Sequence, residues 1–141
     1  MSAFMTGNAK TFSWLLNAFA DETAGVRSAI SVSADGILLA ASENLERDQA
    51  EQFGAITSGV SSLTHGASLC FDAEGVEQVI VEMGNAFMFV TAIGLGACLG
   101  VLAEKDCDMG LIAYEMALLA ERFGTVLSPT VIAELKNLVV M

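Results

Sequence analysis

The chain has 141 residues, enough for one domain with a real hydrophobic core. Its residues are 54% apolar and only 16% charged, more apolar than soluble domains usually are, so part of the surface is expected to be covered by a partner or a second copy. The net charge of −11, with six basic residues in all, excludes nucleic-acid binding and an electrostatic hold on anionic membranes, since both need a surplus of Lys and Arg.

Residues Met1–Lys10 are polar and lack an apolar stretch, so they read as a flexible N-terminus and not as a signal peptide. Thr11–Ala20 places Phe12, Leu15, Leu16 and Phe19 on one helical stripe, with Trp14 to the side. Val26–Ser33 alternates as a strand, with Val26, Ile30 and Val32 on one face and Arg27, Ser31 and Ser33 on the other. Asp35-Gly36 is a hairpin turn signal, and Ile37–Ser42 returns as the partner strand.

Asp48–Cys70 is the longest predicted helix. Asp48 and Glu51 have capping-box spacing, and Phe53, Ile56, Val60, Leu63 and Ala67 form the expected core stripe. The other side is built from Gly54, Ala55, Ser58, Gly59, Ser61, Ser62 and Gly66. Each glycine costs about 1 kcal/mol of helix propensity relative to alanine, so a close packing contact is expected to offset them.

Three strands follow: Val76–Met83, Ala86–Ile93 after a Gly84-Asn85 turn, and Ala97–Ala103. Met83–Ala103 carries no charge and is long enough to raise a membrane span. Gly94-Leu95-Gly96 divides it into two strand-length pieces, so a buried hairpin is the better reading. Asp108 sits at an N-cap position before Met109, Ile112, Met116, Leu119 and Phe123, and Gly124 is placed at the helix end. Ser128-Pro129 opens a terminal helix whose apolar side is Ile132, Leu135 and Leu138.

Catalytic signals are absent or incomplete. Gly94, Gly96 and Gly100 loosely resemble a dinucleotide fingerprint, but a strand follows where the pyrophosphate would need a helix. Asp106, Asp108 and Gly110 fall short of a calcium loop, and the single His65 cannot alone build a histidine metal site. Cys70, Cys98 and Cys107 form no CxxC pair and read as reduced, small core residues of a cytoplasmic protein. Arg27, Arg47 and Arg122 are expected in surface ion pairs. No catalytic residue, metal ligand or cofactor is assigned.

Several segments carry a resemblance: 33–40 (SADGILLA), 48–52 leading into Ser58-Gly59-Val60, 78–83 (QVIVEM), Phe89-Val90-Thr91, 96–99 (GACL) and 108–116 (DMGLIAYEM). Over Phe12 to Phe123 this ordered set resembles the Roadblock/dynein-light-chain family, particularly its bacterial members. The resemblance implies an α+β sandwich of profilin-like layout in the order α-β-β-α-β-β-β-α. Its five-stranded antiparallel sheet would carry the long helix on one face and the first and last helices on the other. Residues 11–124 would form this domain and 125–141 a C-terminal helical extension.

The resemblance further implies a homodimer, in which the Val76–Met83 strand pairs with its copy and the long helices lie side by side. Gly54, Ala55, Ser58, Ser61, Ser62 and His65, with Gln78, Ile80 and Glu82, are the residues placed at that seam and at the partner platform. Family members bind Ras-like small GTPases as scaffolds or activators, and similar bacterial proteins often accompany a sensor kinase as well. Any acceleration of hydrolysis would leave the phosphate and Mg²⁺ chemistry to the GTPase. A structural assembly subunit, and a small-ligand sensor suggested by the profilin- and PAS-like layout, are the alternatives from other functional classes.

Overall fold

The computed structural model describes residues 7–140; the flexible start expected for the first six residues lies outside them. Helix α1 spans Gly7–Glu22, followed by strands β1 (Val26–Ser33) and β2 (Leu38–Ala41) and helix α2 (Arg47–Cys70). Strands β3 (Val79–Glu82), β4 (Ala86–Ile93) and β5 (Ala97–Glu104) come next, then helices α3 (Met109–Val126) and α4 (Pro129–Val140). The five strands form one antiparallel sheet in the order β2-β1-β5-β4-β3, which leaves β2 and β3 as edges. This is the expected α+β architecture: α2 covers one face of the sheet and α1, α3 and α4 the other.

The two faces are packed differently. Between the sheet and α1, α3 and α4 lies a thick layer of large side chains, among them Phe12, Leu16, Phe89, Leu99, Met116, Phe123 and Leu135. The Phe12 and Phe123 rings meet at 4.2 Å between centroids and tie α1 to α3. Under α2 the layer is thin, with Ile30, Val32, Leu38, Ala50 and Cys98 as its buried members.

That thinness decides how α2 sits. Its buried residues are Ala50, Gly54, Thr57 and Ser68, all small. At Gly100 of β5 an added Cβ would stand 3.0 Å from Thr57 Cγ2 and 3.2 Å from Ile30 Cδ1. Helix and strand therefore approach as closely as their backbones allow. Of the expected core stripe Phe53 packs against this thin layer, whereas Ile56 is 55% and Leu63 77% exposed.

Other departures are local. Val26 packs on the α1 side, away from Ile30 and Val32, because the β1 register shifts between Val26 and Ser28 and flips the alternation. The cap residue of α2 is Glu46, without a side-chain hydrogen bond; Asp48 lies in the first turn and Glu51 pairs with Arg47 at 3.1 Å. Strand β3 is shorter than expected because its ladder with β4 begins at Val79. Helix α3 runs through Gly124 to Val126, and residues 7–10 begin α1. Among the cysteines Cys98 is buried and Cys107 half-buried, but Cys70 is exposed.

The β4–β5 turn is a short 3-10 segment, Gly94–Gly96, between strands paired from Ala86↔Glu104 to Ile93↔Ala97. Among the described residues no single helix is long and apolar enough to cross a membrane. Asp108 caps α3, accepting a hydrogen bond from the Leu111 N–H at 3.1 Å, and Ser128 Oγ accepts from the Val131 N–H at 3.2 Å to open α4. Helix α4 belongs to the main core through Val131 and Leu135.

Candidate dimer and partner interface

Helix α2 places the expected interface residues in three settings. Ser58, Ser61, Ser62 and His65 line a groove of about 540 Å³ between α2 and the β4–β5 turn, with Ala34, Ala92 and Cys98 on its far side. Ser61 is turned toward the sheet, where its Oγ accepts a hydrogen bond from Cys98 Sγ at 3.0 Å. Ala55 is exposed on the helix surface. Gly54 does not belong with them. It is buried beneath the helix, where an added Cβ would lie 3.4 Å from Leu38 Cδ1 and 3.7 Å from Val32 Cγ2.

The strand residues stand at the adjacent edge. His65 also borders a smaller groove with Glu77, Val79 and Val90, which links α2 to β3. Gln78 lines a third groove with Thr64, Phe71 and Val76. Ile80 is 44% exposed on β3, whose partner on one side is β4 and whose other side is open. Glu82 at the same edge is held by Lys105 at 2.7 Å, and Lys105 Nζ sits 4.8 Å from the Phe87 ring centroid.

Apart from Ile80, the large apolar residues exposed here were not anticipated. Ile56, Leu63, Leu69 and Phe71 are exposed along α2 and its end, and Met83 beside β3; Ile80 is exposed on β3 itself, on the face of its neighbour Phe89. In one protomer they face solvent, an arrangement that marks an interaction surface when such residues are contiguous. The signal was in the sequence: Ile56 and Leu63 share a stripe seven residues apart. Periodicity identifies such a stripe without saying which of two faces meets the sheet.

Among the described residues no group of three or more His, Cys, Asp or Glu could hold a metal ion. Burial, with the charge of Asp106 next, pushes the Cys107 thiol above its ordinary value, which disfavours the nucleophilic thiolate.

An antiparallel five-stranded sheet with one helix on one face and the terminal helices on the other defines a profilin-like α+β sandwich. The Roadblock/LC7 domain model matches residues 12–103, and the chain belongs to that family. A Roadblock/LC7 domain from Streptomyces avermitilis is 34% identical, covering 78% of this chain and 92% of that one with a TM-score of 0.74. Myxococcus xanthus MglB shares the fold at 10% identity, covering 87% and 92% of the two chains with a TM-score of 0.78. Profilin IB of Acanthamoeba castellanii shares it at 18% identity, covering 78% and 97% with a TM-score of 0.53. Among proteins of curated function none matches.

Proposed function

We propose that the chain is a non-catalytic homodimeric regulator that binds a Ras-like small GTPase and modulates its nucleotide state or signalling, in the cytoplasm of a bacterium. The observation that carries the dimer is the coincidence of an open β3 edge with an exposed apolar stripe on α2. An unpaired strand edge is a template for another strand; Ile80, opposite Phe89 of the main core, is exposed on the face away from α2, and on α2 itself Ile56 and Leu63 are exposed. Pairing β3 with its copy would bring the two α2 helices together on one face of a continuous sheet and cover these two α2 side chains. That is the arrangement which the family resemblance implies.

The GTPase is the partner class that family membership suggests, and the acidic surface supports a protein partner over nucleic acid. Ala55, Ser58, Ser62 and His65, with Gln78, Ile80 and Glu82, are assigned to the seam and to the platform beside it. A sensor kinase is the second partner class that the family resemblance suggests.

The test is capture on the immobilised protein from host lysate, once with a non-hydrolysable GTP analogue and once with GDP. Preferential retention of a small GTPase with the analogue is the expected result. Equal retention would assign a scaffold without nucleotide preference, and no GTPase in either eluate would overturn the reading.

A further inference from the structure

A second exposed apolar surface lies on the opposite face of the sheet, where α1 and α3 run antiparallel. The Phe12–Phe123 contact marks one end of that pair, and Ile112, within 3.6 Å of a Cβ built at Gly25, marks the other. Between the helices is a groove of about 190 Å³ lined by Trp14, Leu15, Phe19, Leu118 and Leu119. It is smaller than the roughly 300 Å³ at which small-molecule pockets begin, so it suits an inserted side chain better than a cofactor. Trp14 is 66%, Tyr114 61%, Leu111 40% and Leu118 38% exposed. Leu111, Tyr114 and Leu118 fall at three- and four-residue spacing on one stripe of α3, which continues the apolar surface beyond the groove.

The charges of the groove are unspent. Glu22 and Glu115 line one end and Arg122 the end near Trp14. Among the described residues Arg27, Arg47, Lys105 and Lys136 are in ion pairs, whereas Arg122, Glu22 and Glu115 are in none. Arg122 thus departs from the surface pairing expected of it. The α3 wall also lies outside residues 12–103, beyond what the family model matches.

The geometry points to a docking site for a basic, amphipathic segment of another protein. A large apolar side chain of that segment would seat between Trp14 and Leu118, with a Lys or Arg against Glu22 and Glu115. Charge selects this occupant. A second copy is already assigned to the α2 and β3 surface, and an anionic lipid surface would be repelled by the net charge of −11.

Trp14 is the only tryptophan, so its emission reports on this groove alone. The full chain is titrated with a designed amphipathic helix of Leu and Lys, and separately with its Leu and Glu counterpart. The Leu/Lys peptide is expected to shift Trp14 emission to shorter wavelength. Its affinity should fall by about tenfold or more in the Glu22→Lys, Glu115→Lys double variant and stay within about twofold in Glu51→Lys, on the far face of the sheet. Arg122→Glu should tighten binding, a gain that misfolding cannot imitate. No shift at saturating peptide, an equal response to the Leu/Glu peptide, or an equal loss in Glu51→Lys would overturn the proposal. So would a shift that grows with protein concentration alone, which would assign the groove to a second copy. A shift produced only by phosphatidylcholine vesicles would assign it to lipid and overturn the proposal as well.

Discussion

Thr57 is fully buried over Gly100, and its hydroxyl is the one buried side-chain polar atom among the described residues with no hydrogen-bond partner. A buried hydroxyl without a partner keeps the cost of leaving water and gains nothing back. Thr57→Val replaces it with a methyl of nearly the same shape, and should raise stability by about 1 kcal/mol in urea unfolding. A fall in stability instead would mean that the hydroxyl is satisfied in solution. The site residues were legible in the sequence only in part. Small residues on α2 marked a close contact, and the contact exists, but Gly54 makes it with Val32 and Leu38 of its own sheet. A glycine shows that something approaches closely without saying what.

At the scale of elements, strands and helices followed from alternation, turn residues and caps, while the facing of α2 did not. A helix with a small stripe and a large stripe can lay either on a sheet. The choice was made by β5, where Gly100 beneath Thr57 admits only a close-lying helix. That information is forty-three residues away in sequence (100 minus 57) and has no local signature. The C-terminal helix, an extension that the sequence left free to pack on its own domain or to dock elsewhere, shares the main core. Val131 and Leu135 are buried, and Lys136 reaches Asp35 of the β1–β2 turn at 3.0 Å. The Ser33 hydroxyl first, and Lys136 next, hold the Asp35 carboxyl below its ordinary range. Leu135→Ala should therefore cost about 2–4 kcal/mol in denaturant unfolding, as a core leucine does. Half-buried Leu138 gives an internal comparison, because Leu138→Ala should cost clearly less. Equal and small losses at both positions would show that α4 is not part of the cooperative unit.

At the scale of the whole molecule, the two proposed interfaces are apolar surfaces on opposite faces. The α2 and β3 surface has the edge strand and the apolar stripe that a second copy can complete, whereas the α1 and α3 surface carries unpaired charge suited to a different protein. A chain that is 54% apolar with a net charge of −11 fits this division: charge keeps it in solution while two patches stay free for partners. The regulatory reading rests on the proposed dimer, because the proposed GTPase platform would be assembled from it. The most direct test is sedimentation equilibrium of the full chain beside Leu63→Asp, a substitution at a position 77% exposed in the protomer and therefore harmless to its fold. Twice the protomer mass of 14.7 kDa is expected for the native chain and the single mass for Leu63→Asp. A native chain that sediments as a protomer at every concentration, or a Leu63→Asp dimer as tight as the native one, would contradict it.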